Sequence, residues 1–315
     1  MDADIFSINA FEGCTKLDVD KYIDYNFDDY NGKVLDKKFI YKGDSGKKHP
    51  LTIEDKSKLS LFFEDEPRME DIQQGNIGDC WLVASLASIA HYRPDIIKDI
   101  IENHPEGGTV RVKLQRELKP GKFRKEFYTI KKSIFKTENG EDVSIMSRFQ
   151  ETIWVQMIEK AFSAYFDKRS NLIDFGNIVG GKTYDKGAFK IILDKEAKNG
   201  YFSDNISDTE VKELFERIEN ALKDNVPLTY GMVEDGGVLE DTEGDEVAYS
   251  HDYSLIGAKE IDGKYYIELR NPWGHNFKVN IVDDDYEYIK KSPVIMVDLK
   301  KATRGHFFVG NLGDK

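Results

Sequence analysis

Cysteine is scarce in this chain: its 315 residues include two, Cys14 and Cys80. Two thiols make no disulfide framework, so the fold must be closed by an apolar core, and a reducing, cytoplasmic setting is expected. Long apolar runs are also missing. The longest near the motif discussed below, Trp81 to Ala90, falls short of the roughly 20 residues needed to cross a bilayer. The first residues, Met1-Asp2-Ala3-Asp4, are acidic, and no basic stretch leads into an apolar one, so no secretion signal is expected. Positive charge is in deficit. Lys and Arg total 45 against 58 Asp and Glu, for a net charge of −13, which argues against nucleic acid or an anionic membrane as the main partner. No His-Glu-x-x-His pattern, paired-cysteine motif or phosphate-binding loop occurs, so metal catalysis and nucleotide chemistry are not expected. Internal repeats and low-complexity tracts are absent.

What is present suits a globular enzyme. Apolar residues make up 40% of the chain, enough for real cores, and the length fits about two domains or two lobes. Residues 1–68 are polar and weakly patterned and read as an N-terminal extension, with short strands near Lys38–Tyr41 and Leu59–Phe63. Helical spacing runs through Cys80–His91, and Pro94 opens a second short helix. Thr109–Gln115 and Phe123–Ile130 read as a hairpin around Lys119-Pro120-Gly121. Phe149–Asp167 is the strongest helix, with its apolar residues on one side, and Asp208–Lys223 is another amphipathic helix, with Asp208 as its expected N-cap. Later strands are predicted at Leu228–Val233, Tyr253–Glu260, Lys264–Leu269 and Phe277–Val282, with Asp262-Gly263 as a hairpin turn. A boundary is placed within Gly176–Gly187, around Gly180-Gly181. The expected organisation is an α+β fold: an extension (1–68), a helical lobe with Cys80 (69–180) and a β-rich lobe with His251 and Asn271 (181–315). The acid- and glycine-rich Tyr230–Glu246 segment reads as a solvated hairpin loop, ahead of a mobile gate.

The chemistry concentrates in three places. Gln74-Gly75-Asn76-Ile77-Gly78-Asp79-Cys80-Trp81 sets a thiol at the first turn of a helix. There the positive end of the helix dipole and free backbone N–H groups favour the thiolate, the nucleophilic form. Gly78 is expected to permit the tight turn into the helix. A buried structural cysteine is the plain alternative for Cys80 alone; the whole string favours a nucleophile. Gln74 can point an amide N–H at an oxyanion, with the Cys80 backbone N–H as second donor. His251 opens an apolar strand and is the candidate general base. Asn271, at a strand end before Pro272, can accept the imidazole N–H and fix its tautomer. Trp273 is placed to shield that hydrogen bond from water.

The string Gln74-Gly75-x-x-Gly78-Asp79-Cys80-Trp81-Leu82 resembles the active-site signature of calpains, the cytosolic branch of the papain-like cysteine proteases. Ile153-Trp154-Val155-x-x-Ile158-Glu159-Lys160-Ala161-Phe162 is similar to a later helix of that family's first lobe. His251-Asp252-Tyr253-Ser254 with Gly257-Ala258, and Leu269-Arg270-Asn271-Pro272-Trp273-Gly274, resemble its His and Asn segments. The likeness spans about Leu61 to Gly274, some two-thirds of the chain. It implies a two-lobed papain-like fold with the active site between the lobes, protein or peptide substrates, and an endopeptidase with Cys80 as nucleophile, His251 as base, Asn271 as orienting residue and Gln74 at the oxyanion. The chemistry needs no cofactor. Calcium enters as a candidate activator, with Asp71 standing where the family often has a ligand. Yet one acid does not satisfy an ion that takes 6–8 oxygens, and His275–Asn280 lacks the acidic loop of calcium-activated relatives. Ser250 stands where many relatives carry Gly. With Gly180 and Gly181, it is a candidate contact to substrate backbone. Two rival functions stay open: a catalytically silent binding protein on the same scaffold, and a Cys-His acyltransferase, for which Asp rather than Asn271 would be the usual third residue.

Overall fold

The computed structural model describes residues 23–26, 40–42, 48–75, 77–104, 107–137, 140, 142–147, 152–166, 187–193, 198–201, 206–232, 239–282, 285–303 and 305–310. Cys14, Gly180, Gly181 and the proposed boundary up to residue 186 lie outside this set.

The first half opens with strands β1 (Ile23–Asn26), β2 (Ile40–Lys42), β3 (Lys48–Asp55) and β4 (Ile72–Gln73). Helices α1 (Cys80–Tyr92) and α2 (Pro94–Ile100) follow, then β5 (Ile101–Asn103), β6 (Thr109–Lys119), β7 (Lys122–Lys131), β8 (Ser133–Thr137) and β9 (Met146–Ser147). Helices α3 (Trp154–Phe166) and α4 (Gly187–Leu193) complete this part. The second half holds β10 (Lys198–Tyr201), α5 (Asp208–Lys223), β11 (Leu228–Met232), β12 (His251–Ile261) and β13 (Lys264–Arg270). It ends with β14 (Asn276–Val282), β15 (Asp285–Lys291), β16 (Val294–Asp298), α6 (Leu299–Ala302) and β17 (His306–Val309).

Two apolar cores organise these elements. The first gathers α1, α2, α3, α4 and the inner faces of β6 and β7, with Trp154, Leu82, Leu86 and Phe162 fully buried. It is not purely helical. A four-stranded sheet in the order β1-β7-β6-β5 belongs to this half, and β3 pairs antiparallel with β8. Residues 48–55, read from sequence as part of an extension, are therefore hydrogen-bonded to the protein, and Leu61 lies in the first core. Leu59–Phe63 forms isolated bridges at Ser60 and Phe63 rather than a strand. The second core lies under a six-stranded antiparallel sheet, β10-β17-β11-β12-β13-β16, covered by α5. Among the described residues, no helix is long and apolar enough to cross a membrane.

Local chemistry explains several boundaries. Asp262 and Gly263 both take positive φ (50° and 74°), the mirror-image turn that joins β12 to β13 in two residues. Helix α5 is capped by Ser207, not Asp208. The Ser207 hydroxyl accepts from the Glu210 N–H at 3.3 Å, and the Glu210 carboxylate accepts from the Ser207 N–H at 2.9 Å. The sequence carries this reciprocal pattern as Ser-x-x-Glu one residue earlier than expected. Asp208, exposed, instead meets Lys300 at 2.6 Å. In the Tyr230–Glu246 segment, Asp241 accepts from the N–H groups of Glu243 and Asp245, and Lys291 pairs with Glu243 and Asp245. The described end of this segment, residues 239–246, is thus tied to β15.

Ser207→Ala is expected to cost about 1 kcal/mol and to lower Tm by about 2–3 °C, whereas Asp208→Ala changes Tm by a smaller amount. Paired thermal melts of the two variants check the assignment of the cap.

Candidate active site

The site forms where α1 crosses β12. Successive side chains of a strand point to opposite faces. On β12, His251, Tyr253 and Leu255 are buried, and Tyr253 and Leu255 enter the second core. Ser254 reaches the other way: its hydroxyl donates to the Ala84 carbonyl of α1 at 2.8 Å. Two more bonds lace helix to sheet. The Leu228 N–H donates to the Ser88 hydroxyl at 2.9 Å, and the Tyr92 hydroxyl donates to the Ile256 carbonyl at 2.7 Å. This packing brings the start of α1 to the start of β12.

Cys80 is half-buried as the first residue of α1. Its Sγ lies 3.8 Å from Oδ2 of Asp252, the residue that shares a strand face with Ser254. His251 is buried, and its ring is held by other contacts. Nε2 lies 3.0 Å from Asn271 Oδ1, and the ring packs against Trp273 (centroids 4.4 Å apart) and edge-on to Tyr253 (5.0 Å). The Asn271 carboxamide is itself oriented: Oδ1 also accepts from the Trp273 N–H at 3.0 Å, and Nδ2 donates to Asn276 Oδ1 at 2.9 Å. An oxygen held this way can only accept. Nε2 of neutral His251 therefore carries the proton, and Nδ1 keeps the lone pair. The structure thus joins His251, Asn271 and Trp273 as the sequence suggested. Cys80 comes to the same strand start, with Asp252 rather than the imidazole as its hydrogen-bond partner.

Electrostatics favour the neutral forms. Burial, then the Asp252 and Asp79 carboxylates, push the Cys80 thiol up to about 12, against the pull of the helix N-terminus. Burial pushes His251 down to about 4, and its bond to Asn271 offsets this only in part. Asp252 was not anticipated as part of the site. Its signal was in the sequence all the same: an acid beside the candidate base in an otherwise apolar strand.

Gln74 is buried and spent on its own turn. Its Nε2 donates to the Ile77 carbonyl at 2.7 Å, its amide stands beside Asp79, and Oε1 is buried without a partner. The Gln74 backbone N–H donates to the Pro272 carbonyl at 2.8 Å, tying the Cys motif directly to the Asn motif. Arg270 adds a second tie, from Nη2 to the Ile72 carbonyl at 2.5 Å. Gly78 does not carry the conformational demand expected of it. A Cβ there meets nothing within 4 Å and its φ is not positive. The demand falls on Gly75, where a Cβ would sit 2.0 Å from the Ser144 carbonyl oxygen. Ser250 takes φ 48°, a left-handed conformation that glycine adopts most easily.

Asp71 is buried as a hydrogen-bond acceptor. Its Oδ2 accepts from the Arg68 N–H at 3.1 Å and the Trp154 indole at 3.2 Å. Among the described residues, no group of three or more His, Cys, Asp or Glu could hold a metal ion. These surroundings supply donors, not the oxygen cage calcium takes, and do not fit an ion at Asp71.

Two outcomes follow from this geometry. Asp252→Asn removes the negative charge beside Sγ, so the thiol pKa falls; iodoacetamide labelling of the Cys80 peptide at neutral pH, read by mass, should rise roughly tenfold for each pKa unit lost. Gly75→Ala should cost on the order of 3 kcal/mol or prevent folding, whereas Gly78→Ala stays within about 0.5 kcal/mol; denaturant melts distinguish the two.

The family model described as calpain family cysteine protease matches residues 38–311. Calpain-7 of Homo sapiens is 25% identical over 228 residues, which cover 65% of this chain and 25% of that protein. Calpain-8 of Mus musculus is 24% identical over 255 residues, 76% of this chain and 33% of the relative. The calpain-type cysteine protease DEK1 of Arabidopsis thaliana is 24% identical over 222 residues, 70% of this chain and 10% of the relative. The chain spans a third or less of the length of these relatives. With the family model matching most of its residues, the chain belongs to the calpain family of cysteine proteases.

Proposed function

We propose that this chain is a papain-like cysteine endopeptidase acting on proteins or peptides in the cytoplasm, with its site between two lobes. The first lobe is built on the core that contains α1 and α3, the second on the sheet that contains β12. The observation that carries this reading is the His251–Asn271 hydrogen bond at 3.0 Å, set at the strand start that faces the Cys80 thiol.

Asn271 holds the proton of His251 on Nε2 and leaves Nδ1 as the base. In this reading Nδ1 takes the proton of Sγ. The thiolate then attacks the peptide carbonyl, forming the C–S bond and an oxyanion. The Cys80 backbone N–H at the helix start receives that oxyanion. Gln74 joins it by releasing the Ile77 carbonyl. The imidazolium gives its proton to the leaving amine as the C–N bond breaks. His251 next takes a proton from water, which attacks the acyl-enzyme and frees the acid and the thiol. No cofactor enters this sequence. Calcium, if it activates, does so through residues other than a carboxylate cage at Asp71.

One observation favours a second reading, a non-catalytic binding protein on the same scaffold. Asp252 stands beside the sulfur and disfavours the thiolate.

Casein hydrolysis decides between them, measured first in EGTA and then with added calcium. Peptidase activity is expected in at least one condition. Cys80→Ala should fold normally and show none, and Asn271→Ala should lose about 10²-fold or more in kcat/KM. Casein cleavage that persists in Cys80→Ala overturns the assignment of the nucleophile. A wild type inactive in both conditions, whose Cys80 resists iodoacetamide, supports the binding protein.

A further inference from the structure

Asp79 and Glu159 are two carboxyl groups with no exposure to solvent, brought together from the residue before Cys80 and from the middle of α3. Of their four oxygens, one has a donor: Glu159 Oε2 accepts from the Ile145 N–H at 2.9 Å. Both oxygens of Asp79 and Oε1 of Glu159 are buried without one. Asp79 occupies the N-cap position of α1, yet its side chain makes no cap hydrogen bond to the helix. It stands beside Glu159 and the Gln74 amide instead. Buried polar atoms in native proteins are nearly always paired, and two carboxylates in contact in an apolar interior repel strongly. A single proton removes both difficulties, turning the repulsion into an O–H···O⁻ hydrogen bond, a short and strong type.

We propose that Asp79 and Glu159 share one proton as a carboxylic acid–carboxylate pair, and that this pair is a positioning device for the turn carrying Gln74 and Cys80. The proton resides on Glu159, which donates to Asp79. Asp79 is the better seat for the charge because the α1 N-terminus and the Gln74 amide both face it. The charged or titratable groups whose fields reach the pair are Lys160, next along α3, and Cys80 on α1. Lys160 is bound to the Ser133 hydroxyl at 2.9 Å and to the Lys131 and Ser133 carbonyls. Gln74 and the Ile145 N–H are the neutral donors. Burial, and for Glu159 the charge of Asp79, raise both acids above the carboxylate range. The pair couples to the thiol because a second negative charge behind Cys80 would further disfavour the thiolate. None of this depends on turnover, so it can be tested even if the peptidase reading fails.

The direct test is infrared spectroscopy of the whole protein at neutral pH. Wild type should show the carbonyl stretch of one protonated carboxyl, shifted in deuterium oxide. Glu159→Gln preserves the hydrogen bond and the single charge without the shared proton, so the band should vanish. A wild type without the band, or a Glu159→Gln that retains it, overturns the pair. The wild-type measurement stands even if the variant does not fold. Thermal melts give a second readout. A proton retained in the folded state and lost in the unfolded one makes stability fall as pH rises above the ordinary carboxylate range. Between about pH 5 and pH 8 the Tm of wild type should therefore fall more than that of Glu159→Gln; equal slopes overturn the proposal. The positioning role is read from the pH profile of iodoacetamide labelling at Cys80. The profile should lose an inflection in Glu159→Gln, and an unchanged profile reduces the pair to a structural contact.

Discussion

The crossing of α1 over β12 is the constraint on which the rest of the molecule depends. It is held by hydroxyls that lace α1 to the sheet: Ser254 on the Ala84 carbonyl, Ser88 on the Leu228 N–H of neighbouring β11 and the half-buried Tyr92 on the Ile256 carbonyl. Each bond contributes about 1 kcal/mol net. Their larger effect is directional, because any slip would leave a buried polar group unpaired at greater cost. Apolar contact alone would let the helix slide on the sheet. These bonds fix one register, and that register sets the thiol of one core against the strand start of the other. The Gln74–Pro272 and Arg270–Ile72 bonds close the same joint from the loop side.

That register also settles which side chain meets the sulfur. Ser254 bonds α1, and Asp252, two residues before it on the same strand face, meets the sulfur. The imidazole is held by Asn271, Trp273 and Tyr253 in a pocket of the second half, and the thiol is held by the first turn of α1. The molecule is thus set with both partners neutral and each tied to its own half. Two acids, Asp252 and Asp79, stand near the thiol and disfavour its ionisation. The helix start at Trp81 and the Asp252 backbone pull the other way.

The motifs around Cys80, His251 and Asn271 were legible because each joins an unusual residue type to a local signal that survives without tertiary context: a helix start, a strand start, an Asn-Pro strand end. The Asp262-Gly263 turn was legible for the same reason. What escaped were features set by distant segments. Gly75 looks like any glycine until the carbonyl of Ser144 is seen against it, whereas Gly78, adjacent to the helix, has open space. The four-stranded sheet of the first half was only partly visible. Its β6–β7 hairpin announced itself through alternation and a Pro-Gly turn, but β1 pairs parallel with β7 across a separation that leaves no local trace. The Ser207 cap was present in the sequence as a reciprocal Ser-x-x-Glu pattern and was outranked by the acid beside it.

The same distinction explains why the acids near the thiol were overlooked. Asp79 and Glu159 each read as part of a family-like string, and neither string shows what its carboxyl faces. Yet every residue of α3 from Trp154 to Tyr165 is buried, so the polar face of this helix never reaches water. Its polar residues must be satisfied inside the protein: Lys160 finds carbonyls and a hydroxyl, and Glu159 finds the Ile145 N–H and another acid. Periodicity gives the face on which a residue lies, but not whether that face is covered. In this family member the covered face places a second carboxyl beside Asp79, so the surroundings of the Cys80 turn include a helix eighty residues away in sequence as well as its own N-terminus.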